Sequence, residues 1–253
     1  MIKFVRCKSE NEVAVVAADV VENVVKANPA TVLGLATGSS PVGMYSELGK
    51  RCDAGKVSFK SVKSVNLDEY VGLGVESDQS YVYFMRKNFF SKIDIDLDNT
   101  NLPNGLAEDL ALECKRYDAL IDSLCGVDIQ VLGIGNNGHI GFNEPADNFP
   151  KSTSVIELTD STIEANSRFF ASRDLVPTKA LSMGIGQIMA AKNIVMIALG
   201  SGKADILEKA FFGPVTPEVP ASILQFYQGN ITVVGDEAAM AEIAKKHGET
   251  VFA

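Results

Sequence analysis

One pattern recurs along the chain: a short apolar run rich in β-branched residues, then a turn with glycine or serine, then a helical segment. Apolar runs of this length are typical of buried strands, and strands that alternate with helices form parallel sheets. The runs lie at 2–5, 31–36, 61–67, 127–132, 178–183, 193–199 and 231–234. We therefore predict an α/β fold: a doubly wound, mostly parallel sheet with helices on both faces, in one domain spanning residues 1–253.

The segments between these runs carry apolar residues at helical spacing. In segment 9–28, Ser9 followed by Glu12 resembles a capping box at the start of a helix. In segment 77–90, Tyr81 and its aromatic neighbours are spaced for packing in the core. Further helices are predicted at 41–52, 109–125, 159–170, 184–191, 200–211, 221–228 and 238–247, and loops at 94–104 and 146–154.

Composition and charge exclude several kinds of partner. A net charge of −9 leaves no basic face for a nucleic acid, although a small anion can still bind through a few local donors. No apolar run approaches the ~20 residues of a membrane span, and the first residues lack the apolar segment of a signal peptide. The four cysteines form no CxxC pair. We expect a cytoplasmic protein without a metal site and without a nucleic-acid or membrane partner.

A glycine-rich loop follows the apolar run at 127–132 and holds His139, one of two histidines in the chain. Ligands in open α/β sheets bind beyond the carboxyl ends of strands, and a histidine there can move a proton near neutral pH. The alternative is a glycine-rich turn with an incidental surface histidine. Because Asn137 and Glu144 lie in the same loop, we predict a catalytic site.

A second polar turn, at 37–41, follows the run at 31–36. Its backbone N–H groups, its hydroxyls and the dipole of the next helix favour an anion, phosphate above all, and we expect Ser40 to cap that helix with Pro41 at its first position. The predicted anion-binding residues of this turn are Thr37, Gly38, Ser39 and Ser40. The turn is neither a P-loop nor a dinucleotide fingerprint, and an ordinary capped turn is the alternative.

Two cations and two carboxylates complete the candidate set. Lys203 lies at the start of a helix, where its positive charge is unfavourable beside the positive end of the helix dipole. An anion bound between Lys203 and the helix would explain this placement. Arg168 can bind an anion in a bidentate way. The alternative for Arg168 is a solvated helix charge. Asp68 and Glu69 end the run at 61–67, where a carboxylate could move a proton between neighbouring carbons; a surface pair opening a turn is the alternative. The sequence leaves open whether Glu69 assists Asp68.

Four motifs, in order and covering nearly the whole chain, resemble the glucosamine-6-phosphate deaminase family. They are Leu-Gly-Leu-Ala-Thr-Gly-Ser-Ser-Pro at 33–41, Asn-Leu-Asp-Glu-Tyr-Val-Gly at 66–72, Gly-His-Ile-Gly-Phe-Asn-Glu-Pro at 138–145 and Ala-Asn-Ser-Arg-Phe-Phe at 165–170. The resemblance implies deamination of glucosamine 6-phosphate to fructose 6-phosphate and ammonia, in amino-sugar catabolism, with no metal and no organic cofactor. It also implies a lid at about 158–181.

The resemblance further implies a role for each candidate residue. His139 is the acid and base at the ring oxygen, oriented by Asn137 and Glu144. Asp68 moves the proton from C2 to C1 through an enolamine. The turn at 37–40, with Arg168 and Lys203, grips the phosphate.

Two departures from the family pattern carry further expectations. Members often have Asp where Asn137 stands, so we expect a less basic His139 here. In the segment 147–156, where members activated by N-acetylglucosamine 6-phosphate carry basic residues, the sole base is Lys151, and the chain ends at Ala253 without their longer tail. We therefore expect no such activation and a monomer or small homo-oligomer.

Two rival functions fit the same fold. The first is 6-phosphogluconolactonase, whose relatives tend to follow the Gly-His pair with a Thr-Ala-Ser type of sequence instead of the one at 140–145. The second is a non-catalytic sugar-phosphate sensor, but the chain has no room for a DNA-binding helix-turn-helix. A sensor would also have no need of Asp68 and His139 together.

Overall fold

The computed structural model describes residues 1–168 and 170–253, and within them it contains ten β-strands and eight α-helices. The strands are β1 Ile2–Cys7, β2 Val32–Leu35, β3 Lys63–Asn66, β4 Asp68–Tyr70, β5 Thr100–Asn101, β6 Ile129–Leu132, β7 Ser154–Glu157, β8 Lys179–Ser182, β9 Asn193–Ala198 and β10 Asn230–Asp236. The helices are α1 Glu10–Ala27, α2 Val42–Asp53, α3 Tyr81–Asn88, α4 Leu110–Ser123, α5 Asp160–Ser167, α6 Ile185–Ala190, α7 Ala204–Phe212 and α8 Ala241–His247. Phe169, within the helix predicted at 159–170, lies outside the described residues.

In the described part of the chain, seven strands form one parallel sheet in the order β1-β10-β9-β6-β2-β3-β5. From β2 the chain runs outward to β3 and β5, and then returns to β6 on the other side of β2. The strand order therefore reverses between β2 and β6, which is where open α/β sheets bind ligands. The predicted doubly wound sheet is confirmed, and β2 and β6 are buried along their whole length.

A second, smaller sheet was not predicted. It is antiparallel, with the order β4-β8-β7, and it pairs Asp68 with Ser182. The strand predicted at 61–67 ends at Asn66, and after Leu67 the chain enters β4. The segments predicted as loops at 94–104 and 146–154 contain β5 and the first residue of β7.

Local side-chain bonds explain where several helices begin. Ser9 accepts the N–H of Glu12 and caps α1, as predicted, whereas the Glu12 carboxylate bonds the N–H of Lys8. The prediction that Ser40 caps α2 is wrong: the helix starts at Val42, its cap position is Pro41, and no side-chain cap bond forms there within the described residues. Helix α3 starts at Tyr81 because Ser80 accepts the N–H of Tyr83.

One further difference concerns the type of the helix before β10. The helix predicted at 221–228 is a 3-10 helix, Pro220–Phe226. In the residues that the structure describes, none of the helices has both the length and the apolar content needed to cross a bilayer.

Candidate active site

A cavity of about 720 Å³ opens at the carboxyl edge of the parallel sheet. It is lined by residues that follow β2, β6 and β9, together with residues of β4, α3 and α5. Nine of the ten predicted site residues line it: Thr37, Gly38, Ser39, Ser40, Asp68, Asn137, His139, Arg168 and Lys203. The tenth, Glu144, contacts two of them from behind.

The loop after β6 holds the imidazole of His139 against its own backbone. The N–H of Gly135 donates to the carbonyl of His139 at 2.9 Å, and the N–H of His139 donates to Oδ1 of Asn137 at 3.2 Å. A Cβ at Gly135 would come within 2.4–2.5 Å of the imidazole ring. Glycine is therefore required at that position, because any side chain there would displace the ring.

Glu144 is fixed by contacts to both of its carboxylate oxygens. Asn137 Nδ2 donates to Oε2 at 2.6 Å, and the hydroxyl of Thr162 donates to Oε1. Nδ1 of His139 lies 3.4 Å from Oε2, at ion-pair distance, and has no hydrogen-bond partner among the described residues. Burial alone would raise the pKa of Glu144, but the contacts with His139, Thr162 and Asn137 hold that pKa below its usual value.

Asp68 and Glu69 have different surroundings. Asp68 is 6% exposed, and burial, followed by the nearby charge of Glu69, raises its pKa to about 8. Burial also raises the pKa of Glu69 to about 7, against the effect of three backbone N–H donors, those of Tyr70, Tyr81 and Val82. Of the two carboxylates, only Asp68 belongs to the described lining of the cavity.

The opposite side of the cavity is suited to an anion. The turn at 37–40 presents backbone N–H groups and hydroxyls, with Gly38 at a φ of +89° that other residues rarely adopt. Lys203 Nζ donates to Oδ1 of Asn136 at 2.6 Å. Burial, and then the positive charge of Arg168, lower the pKa of Lys203. An anion placed between the two cations would relieve that repulsion.

This arrangement places side chains that can transfer protons and side chains that suit an anion around one cavity. Comparison with known proteins identifies the group of enzymes to which it corresponds. The family described as glucosamine-6-phosphate isomerases/6-phosphogluconolactonase matches residues 8–233. The chain belongs to this family.

Several relatives in the glucosamine-6-phosphate isomerase family share about half of their residues with this chain. A glucosamine-6-phosphate deaminase of Clostridioides difficile is 50% identical over 240 residues, which is 95% of this chain and 96% of that protein. One of Lachnoclostridium phytofermentans is 52% identical over 233 residues, 92% of this chain and 98% of that protein.

Solved structures give the same assignment of fold. A structure described as a monomeric glucosamine-6-phosphate deaminase superimposes with a TM-score of 0.92 at 42% identity, covering 95% of this chain and 99% of that one. A 6-phosphogluconolactonase from Trypanosoma cruzi superimposes with a TM-score of 0.77 at 19% identity, covering 97% of each chain, and therefore shows the shared fold only.

Tyr81 and Thr162 line the cavity but were not among the predicted site residues. Tyr81, predicted as core, does pack with Tyr70 and Phe142, but it also lines the cavity. Thr162 lines the cavity and bonds Glu144 from helix α5. Neither has a local signal, because an aromatic at helical spacing and a threonine in a first helical turn are common features of ordinary helices.

Proposed function

We propose that this protein is a glucosamine-6-phosphate deaminase, which converts glucosamine 6-phosphate and water to fructose 6-phosphate and ammonia. The observation that carries the proposal is one cavity that holds a buried carboxylate of raised pKa, an imidazole, and two cations beside a glycine-serine turn. The deaminases at about 50% identity support the choice of substrate.

Ring opening is the first proposed step. The imidazole of His139 takes the proton of the C1 hydroxyl and delivers a proton to the ring oxygen, giving the open-chain aldehyde. Its Nδ1 faces the Glu144 carboxylate at 3.4 Å, so a positive charge that develops on the ring during this transfer is stabilised. The close backbone at Gly135 limits the positions that the ring can adopt.

Proton transfer between carbons is the second step. Ionised Asp68 removes the proton from C2 while the C1 oxygen takes a proton from water, which gives an enolamine with a hydroxyl on C1 and the amino group on C2. Returning the proton from Asp68 to C1 leaves an iminium at C2. Water adds there and gives up a proton, and ammonia leaves as the ketose forms. A carboxylate whose pKa is raised is a stronger base for this task than an exposed one.

Phosphate binding is proposed for the turn at 37–40 together with Arg168 and Lys203. A site remote from the reacting carbons can hold those carbons in place, because the binding energy of the phosphate offsets the loss of freedom. We further propose that segment 158–181 is a lid, since Thr162 of α5 and Arg168, which follows that helix, both line the cavity.

We also propose a monomer or small homo-oligomer that N-acetylglucosamine 6-phosphate does not activate. The monomeric deaminase at 42% identity supports the first part, and the single base in segment 147–156 supports the second. Sigmoidal kinetics relieved by that ligand would contradict the proposal.

The test is incubation with glucosamine 6-phosphate while ammonia and fructose 6-phosphate are both measured. The wild type is expected to form them in a 1:1 ratio, in the presence of EDTA as well as in its absence, and the Asp68→Asn variant is expected to lose about 100- to 10,000-fold in kcat. Hydrolysis of 6-phosphogluconolactone is measured in parallel. Lactone hydrolysis without ammonia release would assign the rival function.

A further inference from the structure

Thr162 of helix α5 bonds the loop at 133–145, which holds His139 and is called the catalytic loop here, through a hydroxyl that the proposed mechanism does not use. Thr162 is 5% exposed, and its hydroxyl donates to Oε1 of Glu144, 18 residues earlier in the chain. The same hydroxyl oxygen accepts a bond from Thr159 Oγ1 at 3.1 Å. A chain of bonds therefore runs from the start of α5 into the carboxylate behind His139.

The two oxygens of Glu144 have different partners. Oε1 is taken by Thr162, and Oε2 is shared between the amide of Asn137, at 2.6 Å, and Nδ1 of His139, at 3.4 Å. The terminal torsion of a glutamate is broad, so a carboxylate held at one oxygen can still turn. Bonds at both oxygens leave one orientation, in which Oε2 faces the imidazole.

We propose that Thr162 is a positioning residue that fixes the Glu144 carboxylate, and through it His139, when helix α5 is docked against the catalytic loop. This inference rests on the proposed function for its kinetic consequence. Its structural consequence, the environment of the His139 ring, is independent of any substrate.

The consequence for His139 follows from the freedom of the Glu144 carboxylate. In a Thr162→Val variant the carboxylate keeps only the Asn137 bond at Oε2 and can turn about it, so Oε2 no longer faces Nδ1 in one fixed orientation. The surroundings of the His139 ring should then change. The other ionisable groups that line the cavity, Asp68, Tyr81, Arg168 and Lys203, keep their side chains in this variant.

The experiment compares three variants with the wild type. Thr162→Val removes the hydroxyl at nearly constant volume, and Thr162→Ser keeps it. Ser167→Ala is the matched control, because it removes a hydroxyl of the same helix whose bond among the described residues is to the helix's own backbone, the carbonyl of Glu164 at 2.7 Å. If Thr162→Val does not fold, as judged by circular dichroism, Thr162→Ala takes its place.

The first readout is the NMR signal of the His139 ring at a fixed pH, measured without substrate. The chain has two histidines, and a His247→Gln variant identifies the second resonance. We expect the ring resonances of His139 to shift in Thr162→Val and to stay unchanged in Thr162→Ser and Ser167→Ala. Superimposable ring resonances in Thr162→Val and the wild type would overturn the proposal.

The second readout is the separation of kcat from KM for glucosamine 6-phosphate. Supporting residues behind a catalytic ligand typically contribute about 10- to 100-fold, so kcat should fall by that factor in Thr162→Val while KM stays within about threefold. Thr162→Ser should recover most of kcat. A Thr162→Ser variant as slow as Thr162→Val would overturn the proposal. A wild type that releases no ammonia would refute the deaminase function but leave the NMR test of the His139 ring intact.

Discussion

Asp68 and Glu69 are neighbours on the three-residue strand β4, yet they serve opposite sides of it. Asp68 lines the cavity, whereas Glu69 accepts the N–H groups of Tyr81 and Val82 at the start of helix α3. Successive side chains on a strand point to opposite faces, and a carboxylate at a helix N-terminus is stabilised by the helix dipole. One strand therefore carries a carboxylate facing the cavity and a second one that anchors a helix behind it.

The Glu69→Gln substitution tests whether the negative charge of Glu69 raises the pKa of Asp68. Asp68 has to be ionised to accept a proton, so kcat/KM should rise with pH toward its pKa of about 8. Removing the negative charge of Glu69 lowers the pKa of Asp68, and the rising limb of the profile should move to lower pH by up to about one unit.

The control for this change is Glu76→Gln, which removes a charge from an exposed loop residue. Its pH profile should match the wild type. Glu69→Gln also loses the acceptor for one N–H of α3, so a melting temperature lower than that of the control is expected. An unmoved limb in Glu69→Gln would mean that burial alone sets the pKa of Asp68.

The Asp68→Asn substitution should stabilise the fold in alkaline solution. The folded-state pKa of Asp68, about 8, lies above the unfolded value, so the folded state binds the extra proton between about pH 4 and pH 8. Stability therefore falls as pH rises through that window. The free energy of unfolding of the variant should exceed that of the wild type by about 1–3 kcal/mol at pH 9. The two values should be equal near pH 3.5. Urea unfolding at the two pH values measures the difference; equal stability at pH 9 would contradict it.

The parallel sheet could be predicted because its central strands are buried on both faces and leave a continuous apolar signal. Strand β6 is an example, with all four residues buried. Strand β7 has no such signal, since its residues alternate between half-buried and exposed and it begins with Ser154 and ends with Glu157. Strand β5 has only two residues. The partner of β4 is β8, far along the chain, so no local pattern shows that Asp68 belongs to a second sheet.

The residues proposed for the chemistry could be predicted from the sequence, whereas the residues that hold them in place could not. Residue types, glycine-rich loops and family motifs identified His139, Asp68 and Lys203, and strand order brings their loops to one edge. Thr162 and Tyr81 reach the site only through the packing of α5 and α3, which depends on contacts distant in sequence. Supporting residues of this kind become visible only when the loops and helices have been placed.

The Asn137→Asp substitution tests the departure from the family pattern. Nδ2 of Asn137 donates to Glu144 Oε2 at 2.6 Å, so an aspartate would bring two carboxylates into contact. Such a pair resists double ionisation, and its added negative charge favours the imidazolium form of His139. We expect the pH dependence of kcat to change and the variant to lose about 1–3 kcal/mol of stability at pH 8.

The measurements for this variant are the pH dependence of kcat and urea unfolding. Asn137→Ser provides a neutral comparison that shortens the side chain without adding charge. An unchanged pH–rate profile in Asn137→Asp, with unchanged stability, would show that residue 137 does not influence the imidazole.

The Lys203→Met substitution tests the anion side of the cavity. Lys203 is held by Asn136 at 2.6 Å beside Arg168, so the charge is pre-positioned for a phosphate. Its loss should raise KM for glucosamine 6-phosphate by about 10- to 100-fold, since a charge-assisted bond contributes about 1.5–3 kcal/mol, and should lower kcat less. Lys245→Met is the matched control, because Lys245 pairs with Glu242 on an exposed helix surface. Equal KM values in the two variants would remove Lys203 from the phosphate site. Weaker inhibition by inorganic phosphate in Lys203→Met alone would tie the change in KM to the phosphate group and not to the sugar.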